Sequence, residues 1–283
     1  MKKYTTRKKS KFMVKIGVLG GGSSGNSIVI SSGGVTVAVD AGFSGKELKK
    51  RMAAVGFSPE ELKAVLLTHE HGDHYLGCRV MCNNYSLPLY ASSGTVNYLR
   101  NNNKLPDKVV VFERDNTFEL DDMLIHPFAV RHDAVDPVGF AIQTNDGTKI
   151  GIATDLGMLD SNVEHSLRDS DVLVLECNYC PEKLRCCDRP ERTKRRIAGR
   201  NGHLENGDAV EALDKLVTGR TRLVLFSHVS RECNDYDFVR TIGRAKLDEM
   251  KRNDVMFDVI VQDRPLGRFE LASGECTFCG AEL

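Results

Sequence analysis

Ten residues constrain this chain more than any other stretch: Val65-Leu66-Leu67-Thr68-His69-Glu70-His71-Gly72-Asp73-His74. An apolar run at 64–67 reads as a buried strand. It empties into a turn carrying three histidines and an aspartate at the spacing His-x-His-x-Asp-His. Each polar ring held at the end of a buried strand needs a partner of its own, and folding alone gives no reason to crowd so many there. Metal binding does. Neutral imidazole and carboxylate suit zinc, manganese or iron, and a turn aims i and i+2 at one ion while i+4 and i+5 reach a second. The competing reading is a solvated loop with fortuitous histidines, which a lone His-x-His would favour and this cluster does not.

The flanking chain alternates β and α patterns. Apolar runs at 16–19, 27–31, 35–39, 88–91, 108–112, 123–130, 138–144, 149–153, 172–175 and 223–226 read as strands, and 255–261 as the last one. Ser44-x-x-Glu47 is a capping box that opens a helix with Leu48, Met52 and Val55 on one face and Gly56 as its stop. Further helices are expected near 95–101, over 235–250, and after Asn206 as N-cap, with Gly202 freeing the backbone before it and Gly219 as the stop. The glycine-rich loop 20–26 lacks the Lys-Ser/Thr ending of a P-loop and opens a strand rather than a helix, which argues against a nucleotide-binding motif. Segment 181–202 has no clear periodicity. Between Lys183 and Arg200 it carries eight Lys/Arg against two acids, Asp188 and Glu191. Residues 1–14 read as a basic N-terminal arm and 15–283 as one domain, since neither a linker nor a repeat of fixed period interrupts the latter.

Charge and cysteine usage narrow the function classes. Lys+Arg 39 against Asp+Glu 39 leaves no global field, so a nucleic-acid partner would have to be held by a local basic groove such as 183–200. No apolar run approaches the roughly 18 residues of a membrane span, and no hydrophobic region of signal-peptide length follows the basic start. Nine cysteines, an odd number in a chain of this size, favour reduced thiols and the cytoplasm. Cys177-x-x-Cys180 and Cys276-x-x-Cys279 lie too far apart in sequence to read firmly as one zinc site. The sequence does not specify an oligomeric state.

One regularity joins the pieces. His69 follows Leu67 by two residues, His132 follows Val130, Asp155 follows Ala153 and His228 follows Phe226, while Asp40 follows Val39 at once. Metal-type residues just past the ends of apolar strands converge on one sheet edge when helices wrap the sheets.

Thr-His-Glu-His-Gly-Asp-His resembles the signature of the metallo-β-lactamase superfamily of metallohydrolases. The resemblance implies an α/β fold, a metallo-β-lactamase-like four-layer αββα sandwich with two divalent ions at one edge. Carried over position by position, it implies that His69, His71 and His132 hold one ion and Asp73, His74 and His228 the other. Asp155 would bridge them, and Asp40 would orient ligands by hydrogen bonds. The ions are zinc, manganese or iron. Asp73 and His203 are the catalytic candidates. His203 is left over as a ligand and precedes a helix start whose free N–H groups suit an anion, so it is expected to approach the scissile phosphate.

A narrower resemblance covers most of the chain. Gly-Ser-Ser-Gly-Asn-Ser (22–27), Arg-His-Asp-Ala (131–134), Ala-Thr-Asp-Leu-Gly (153–157), Leu-Glu-Cys-Asn-Tyr (175–179), Gly-His-Leu-Glu-Asn (202–206) and Ser-His-Val-Ser-Arg-Glu-Cys-Asn (227–234) together are similar to the YycJ/WalJ group. That implies a DNA exonuclease; the charge of segment 183–200 would then let Arg192, Arg195 and Arg196 neutralise backbone phosphates, the alternative for that segment being a solvated loop. Cys180, where the group has aspartate, and Cys186-Cys187 depart from its pattern. Two other readings stand beside this one: a hydrolase of a small ester, thioester or cyclic nucleotide, and a non-catalytic metal-bound module, which the complete ligand set disfavours.

Overall fold

The protein is described by a computed structural model covering residues 13–272 and 274–282. Residues 1–12 of the basic arm lie outside it. Met13 and Val14, read from sequence as arm, already pair with Ala272 and Leu271 in the first strand.

The chain runs β1 (Met13–Gly20), β2 (Ser27–Ser32), β3 (Val35–Val39), α1 (Gly45–Ala54), β4 (Leu62–Leu66), α2 (Gly72–Tyr75), α3 (Cys78–Asn84), β5 (Leu89–Ser92), α4 (Ser93–Asn101) and β6 (Val109–Phe112). A second run follows: β7 (Phe118–Leu120), β8 (Met123–Ala129), β9 (Val138–Thr144), β10 (Lys149–Ala153), α5 (Ser161–Leu167), β11 (Val172–Glu176), α6 (Pro181–Cys186), α7 (Glu191–Ile197), α8 (Asn206–Leu216), β12 (Leu223–Ser227), α9 (Tyr236–Glu249) and β13 (Met256–Val259). The chain then returns as β14 (Gly267–Ala272) and β15 (Glu275–Gly280). Among the described residues this makes an eight-stranded sheet in the order β15-β14-β1-β2-β3-β4-β5-β6 and a seven-stranded one in the order β13-β12-β11-β10-β9-β8-β7.

Strands here are nearly unbroken apolar runs because both faces of each sheet are covered. Alternate residues of one strand enter different cores. Val172 and Val174, or Leu223 and Leu225, meet Ile16, Ile30 and Leu66 in the layer between the sheets. Leu173, Leu175, Val224 and Phe226 face the other way, against Val163 of α5, Leu213 of α8 and Val239 of α9. On the far side, Leu19, Val65 and Leu67 pack under Leu48 and Met52 of α1, Met81 of α3 and Leu99 of α4. The result is the expected αββα order of layers.

Several local expectations need correcting. Val259 does not close the fold, since β14 inserts against β1 and carries β15 at the sheet's edge. Segment 181–202, which shows no clear periodicity in sequence, holds α6 and α7, each with one buried residue, Leu184 and Ile197. Ser44 caps α1 through Glu47 N, but the Glu47 carboxylate pairs with Arg51 instead of returning to complete the box. Glu205, not Asn206, is the N-cap of α8, and the helix ends at Leu216, with Val217 as its C-cap, before Gly219. Gly202 serves close approach rather than turning: a Cβ there would strike the carbonyls of Arg196 and Ile197.

Candidate metal centre

The topology brings the strand ends together. β8, β10, β11 and β12 point the same way, through antiparallel pairing with β9 and parallel pairing thereafter, so Ala129, Ala153, Glu176 and Ser227 end at one edge. β3 and β4 run parallel and deliver Asp40 and Thr68 to the facing edge. Two backbone residues at this seam, Asp40 (φ 60°) and His228 (φ 55°), adopt the left-handed conformation that non-glycine residues avoid, a cost concentrated at functional sites.

Hydrogen bonds fix which nitrogen each ring turns inward. The Asp40 carboxylate accepts from Thr68 N (2.8 Å), from Thr68 Oγ1 (3.0 Å) and from His74 Nδ1 (2.7 Å). Thr68 Oγ1, having donated to Asp40, accepts from His69 Nδ1 at 3.0 Å. His132 Nδ1 donates to Gly202 O (2.9 Å), and His228 Nδ1 donates to Glu176 Oε1 (2.9 Å). That last bond uses the Nδ1 proton, so Asn178, whose amide nitrogen lies 3.1 Å from the same atom, holds the loop by donating to the His228 carbonyl at 2.7 Å. Four imidazoles thereby present Nε2 to a common space, each steadied from behind.

The donor set fits divalent metal. His69, His71 and His132 bring ligand atoms within 4.8 Å of one another, as do His69, His74 and Asp155, and Asp73, His74 and His228. His69 Nε2 and Asp155 Oδ2 are fully buried without any hydrogen-bond partner, although Asp155 Oδ2 lies 3.1 Å from His74 Nε2. Orphaned polar atoms at the junction of three donor clusters are what a coordinating ion would satisfy. A fourth cluster, Asp155, Glu176, His203 and His228, needs no ion: Glu176 Oε1 already accepts from both His203 Nδ1 (2.8 Å) and His228 Nδ1.

Electrostatics separate the rings. Burial pushes His69 well below the usual imidazole range, with the neighbouring His74 adding to it, so it is neutral and ready to ligate. Burial opposes charge on His228 too, but the carboxylates of Asp155, Asp73 and Glu176 win and push it up to about 10. His74 is likewise held well above its ordinary value by Asp155 and Asp40 against burial. Burial would raise Asp73, yet its bond to His228 and the charge of His74 bring it down to about 2.

A cavity of about 300 Å³ opens over this cluster, lined by His71, Asp73, Asp155, His203 and His228 and rimmed by Ser23, Arg189, Arg196 and Ser230. His203 faces it with one side anchored on Glu176. The helix start expected to offer N–H groups beside it does not reach the cavity: none of residues 205–208 lines it, and Asn206 N is taken by Tyr179 O. Of the three arginines expected to meet substrate, Arg196 reaches the cavity, paired with Asp133, while Arg192 and Arg195 stay exposed on α7 outside its lining. Arg189 reaches it instead, paired with Glu232 at 2.7 Å.

Sequence reasoning missed three further residues. Glu176, at 0 % exposure, ends its strand as Asp155 and His228 nearly do, and that same strand-end rule would have found it. Asn26 donates to Asp73 Oδ2 and to Asp73 O, both at 3.3 Å, fixing the metal loop against the glycine-rich loop. Asn178 falls within the run Leu-Glu-Cys-Asn-Tyr, but it lies two residues past a strand in a loop without charge, so nothing there marks its role.

Comparison with known proteins agrees with this geometry. Residues 36–228 match the family model for the beta-lactamase superfamily domain. The chain is 34% identical over 224 residues to the exodeoxyribonuclease WalJ of Streptococcus pneumoniae, covering 78% of this chain and 83% of that one. It is 30% identical over 234 residues to the exodeoxyribonuclease YycJ of Bacillus anthracis, covering 82% and 88%. The metallo-β-lactamase-fold protein YhfI of Bacillus subtilis superimposes with a TM-score of 0.67 over 89% of this chain and 98% of that one, at 17% identity, a likeness of fold alone. With its layers, its strand-end histidines and these relatives in agreement, the chain belongs to the metallo-β-lactamase superfamily, in the family of WalJ and YycJ.

Proposed function

We propose that this protein is a metal-dependent exodeoxyribonuclease of the cytoplasm. In this reading His69, His71 and His132 would hold one divalent ion, and Asp73, His74 and His228 a second, with Asp155 available to both and zinc, manganese or iron as the metal. The observation that carries it is the pair of buried, unpartnered donors, His69 Nε2 and Asp155 Oδ2, inside a ligand set on the fold of relatives named exodeoxyribonucleases. Divalent ions bound here supply Lewis acidity and a hydroxide nucleophile at neutral pH.

The chain's own residues do the rest. Asp40 and Thr68 lock the tautomers of His69 and His74 so that Nε2 of each faces inward. Asn26 steadies the Asp73 carboxylate. Glu176 accepts a hydrogen bond from Nδ1–H of His203, which leaves Nε2 of that ring toward the cavity, where it can hold a proton for the departing oxygen. Arg189 and Arg196 at the rim neutralise phosphates of the bound strand.

End-labelled single- and double-stranded DNA, assayed with elemental analysis of the same preparation, tests the proposal. The expected result is progressive release of mononucleotides with close to two ions per chain, both lost on exhaustive chelation. A chelated, metal-free preparation of full activity overturns it. Hydrolysis of thioesters or cyclic nucleotides without DNA cleavage would replace the substrate while keeping the centre.

A further inference from the structure

Cys186-Cys187 and Cys233 have no part in the chemistry above, yet two of them meet. The Cys233 and Cys187 sulfurs lie 3.4 Å apart, across 46 residues of chain. Cys233 is fully buried with Tyr179, Leu184 and Ile197, and Cys187 packs on that cluster while partly exposed. The two backbones are tied again close by: Arg189, two residues after Cys187, pairs with Glu232, the residue before Cys233. Cys180 N also donates to Cys233 O at 2.8 Å. Arg189, two residues after Cys187, and Ser230, three residues before Cys233, both rim the cavity.

We propose that Cys187 and Cys233 are a redox-active thiol pair that a low-molecular-weight disulfide converts into a protein disulfide, fastening the basic segment 181–202 to the loop after β12. Cys187, the accessible sulfur, loses its proton to solvent and attacks one sulfur of the small disulfide, expelling one small thiolate. Burial raises the Cys233 thiol, so it enters second. Cys233 gives up its proton and displaces the other small thiolate from Cys187. Two protein thiols and one small disulfide become one protein disulfide and two small thiols. The sulfurs need only close from van der Waals contact to bonding distance, about 2.05 Å.

The bond has a consequence for substrate. A DNA phosphate that uses Arg189 must displace Glu232 from it. Fixing the two backbones together raises the effective concentration of Glu232 at that guanidinium, so the phosphate competes less well. Oxidation therefore raises KM for DNA and leaves the metal centre alone. This last step rests on the nuclease reading; the thiol pair does not.

The test treats metal-loaded protein with oxidised glutathione and compares wild type with Cys187→Ser, Cys233→Ala and Cys186→Ser. Peptide mapping after blocking free thiols should find Cys187 joined to Cys233 in wild type and Cys186→Ser, reversibly with a phosphine reductant, and in neither of the other variants. The oxidised form should melt roughly 4–10 °C higher, as expected for a closed loop of this length. KM for single-stranded DNA should rise severalfold, while turnover of a small chromogenic diester stays unchanged. A glutathione adduct that never resolves, or a crosslink through Cys186 or Cys180, overturns the pair. A crosslink with unchanged KM overturns the coupling to Arg189. Protein that cleaves no DNA leaves the mapping and melting results decisive, so failure of the nuclease reading is distinguishable.

Discussion

His228 and Arg196 line the same cavity and are built by opposite means. The His228 side chain is 4 % exposed and sits between Glu176, Asp155 and Asp73 on a strand end. The Arg196 side chain is 56 % exposed, rises from a helix with one buried residue, and is held by Asp133 alone. Every ligand-type side chain but two is buried, four of the five rings are steadied from behind by a neighbour, and the left-handed backbones of Asp40 and His228 lie on that side. The rim has none of this redundancy. Chemistry that needs positions held to a fraction of an ångström is carried by over-determined groups. Contacts to a mobile polyanion, which need charge more than geometry, are carried by single ion pairs. The centre should therefore fail abruptly when altered and the rim by degrees.

The largest effect is expected at the shared carboxylate. Asp155→Ala should remove metal from the whole centre, because Asp155 stands among both ligand groups, and should lower kcat/KM beyond the roughly 10²–10³-fold loss of one electrostatic stabiliser. Retention of one tightly held ion with ordinary activity would show that the centre is less unified than its geometry. His203→Ala comes next: kcat on DNA falls by about 10²–10⁴-fold with metal content unchanged, the range for a lost acid–base group. Loss of an ion in that variant would move His203 into the ligand set.

Protonation sharpens the contrast. In metal-free protein His228 is raised from 6.5 to about 10. A raised histidine contributes stability that is fully present below pH 6.5 and lost as pH climbs toward 10. Metal-free protein should thus lose melting temperature across that window, more than His228→Gln does. Since a ligating imidazole must give up its proton, metal uptake at neutral pH should release protons to an indicator dye. The rim should show neither effect.

At the rim, Arg189→Ala or Arg196→Ala should raise KM for DNA severalfold and reduce the salt slope by about 0.7 each on single strands, with a small diester turned over as before. Equal losses on both substrates would make these arginines structural. The smallest effect belongs to Arg192→Ala and Arg195→Ala, exposed and outside the cavity, where stability should stay within about 0.5 kcal/mol and KM near wild type.

Legibility from sequence follows the same division. The layers and the strand-end convergence could be read because apolar runs on doubly covered strands are long and end in conspicuous polar residues. Glu176 escaped because it closes an apolar run and looks like a strand terminator. α6 and α7 escaped because Leu184 and Ile197 alone are buried in them, too few to set a 3.6-residue period. β14 alternates buried and half-exposed residues and β15 is an almost wholly exposed edge, so neither announced itself as strongly as the central strands. Arg192 and Arg195 were charge without direction. Only the turn of α7 decides which of its arginines faces the cavity.

The ligand-type residues come from β4, β8, β10 and β12, in both sheets, with Asp40 contributing from β3. No local hairpin or helix carries a complete set, so the centre cannot assemble before the two sheets dock. Such long-range closure is slow, because distant segments must be ordered before their contacts repay the cost. The turn from His69 to His74 alone carries four of the seven donors, but metal held by all seven arrives only after the last docking step, in the native state. It then acts as a ratchet, deepening stability by mass action with free ion concentration. The moment at which a refolding chain takes up its full complement of metal is thus a clock for the completion of its sandwich.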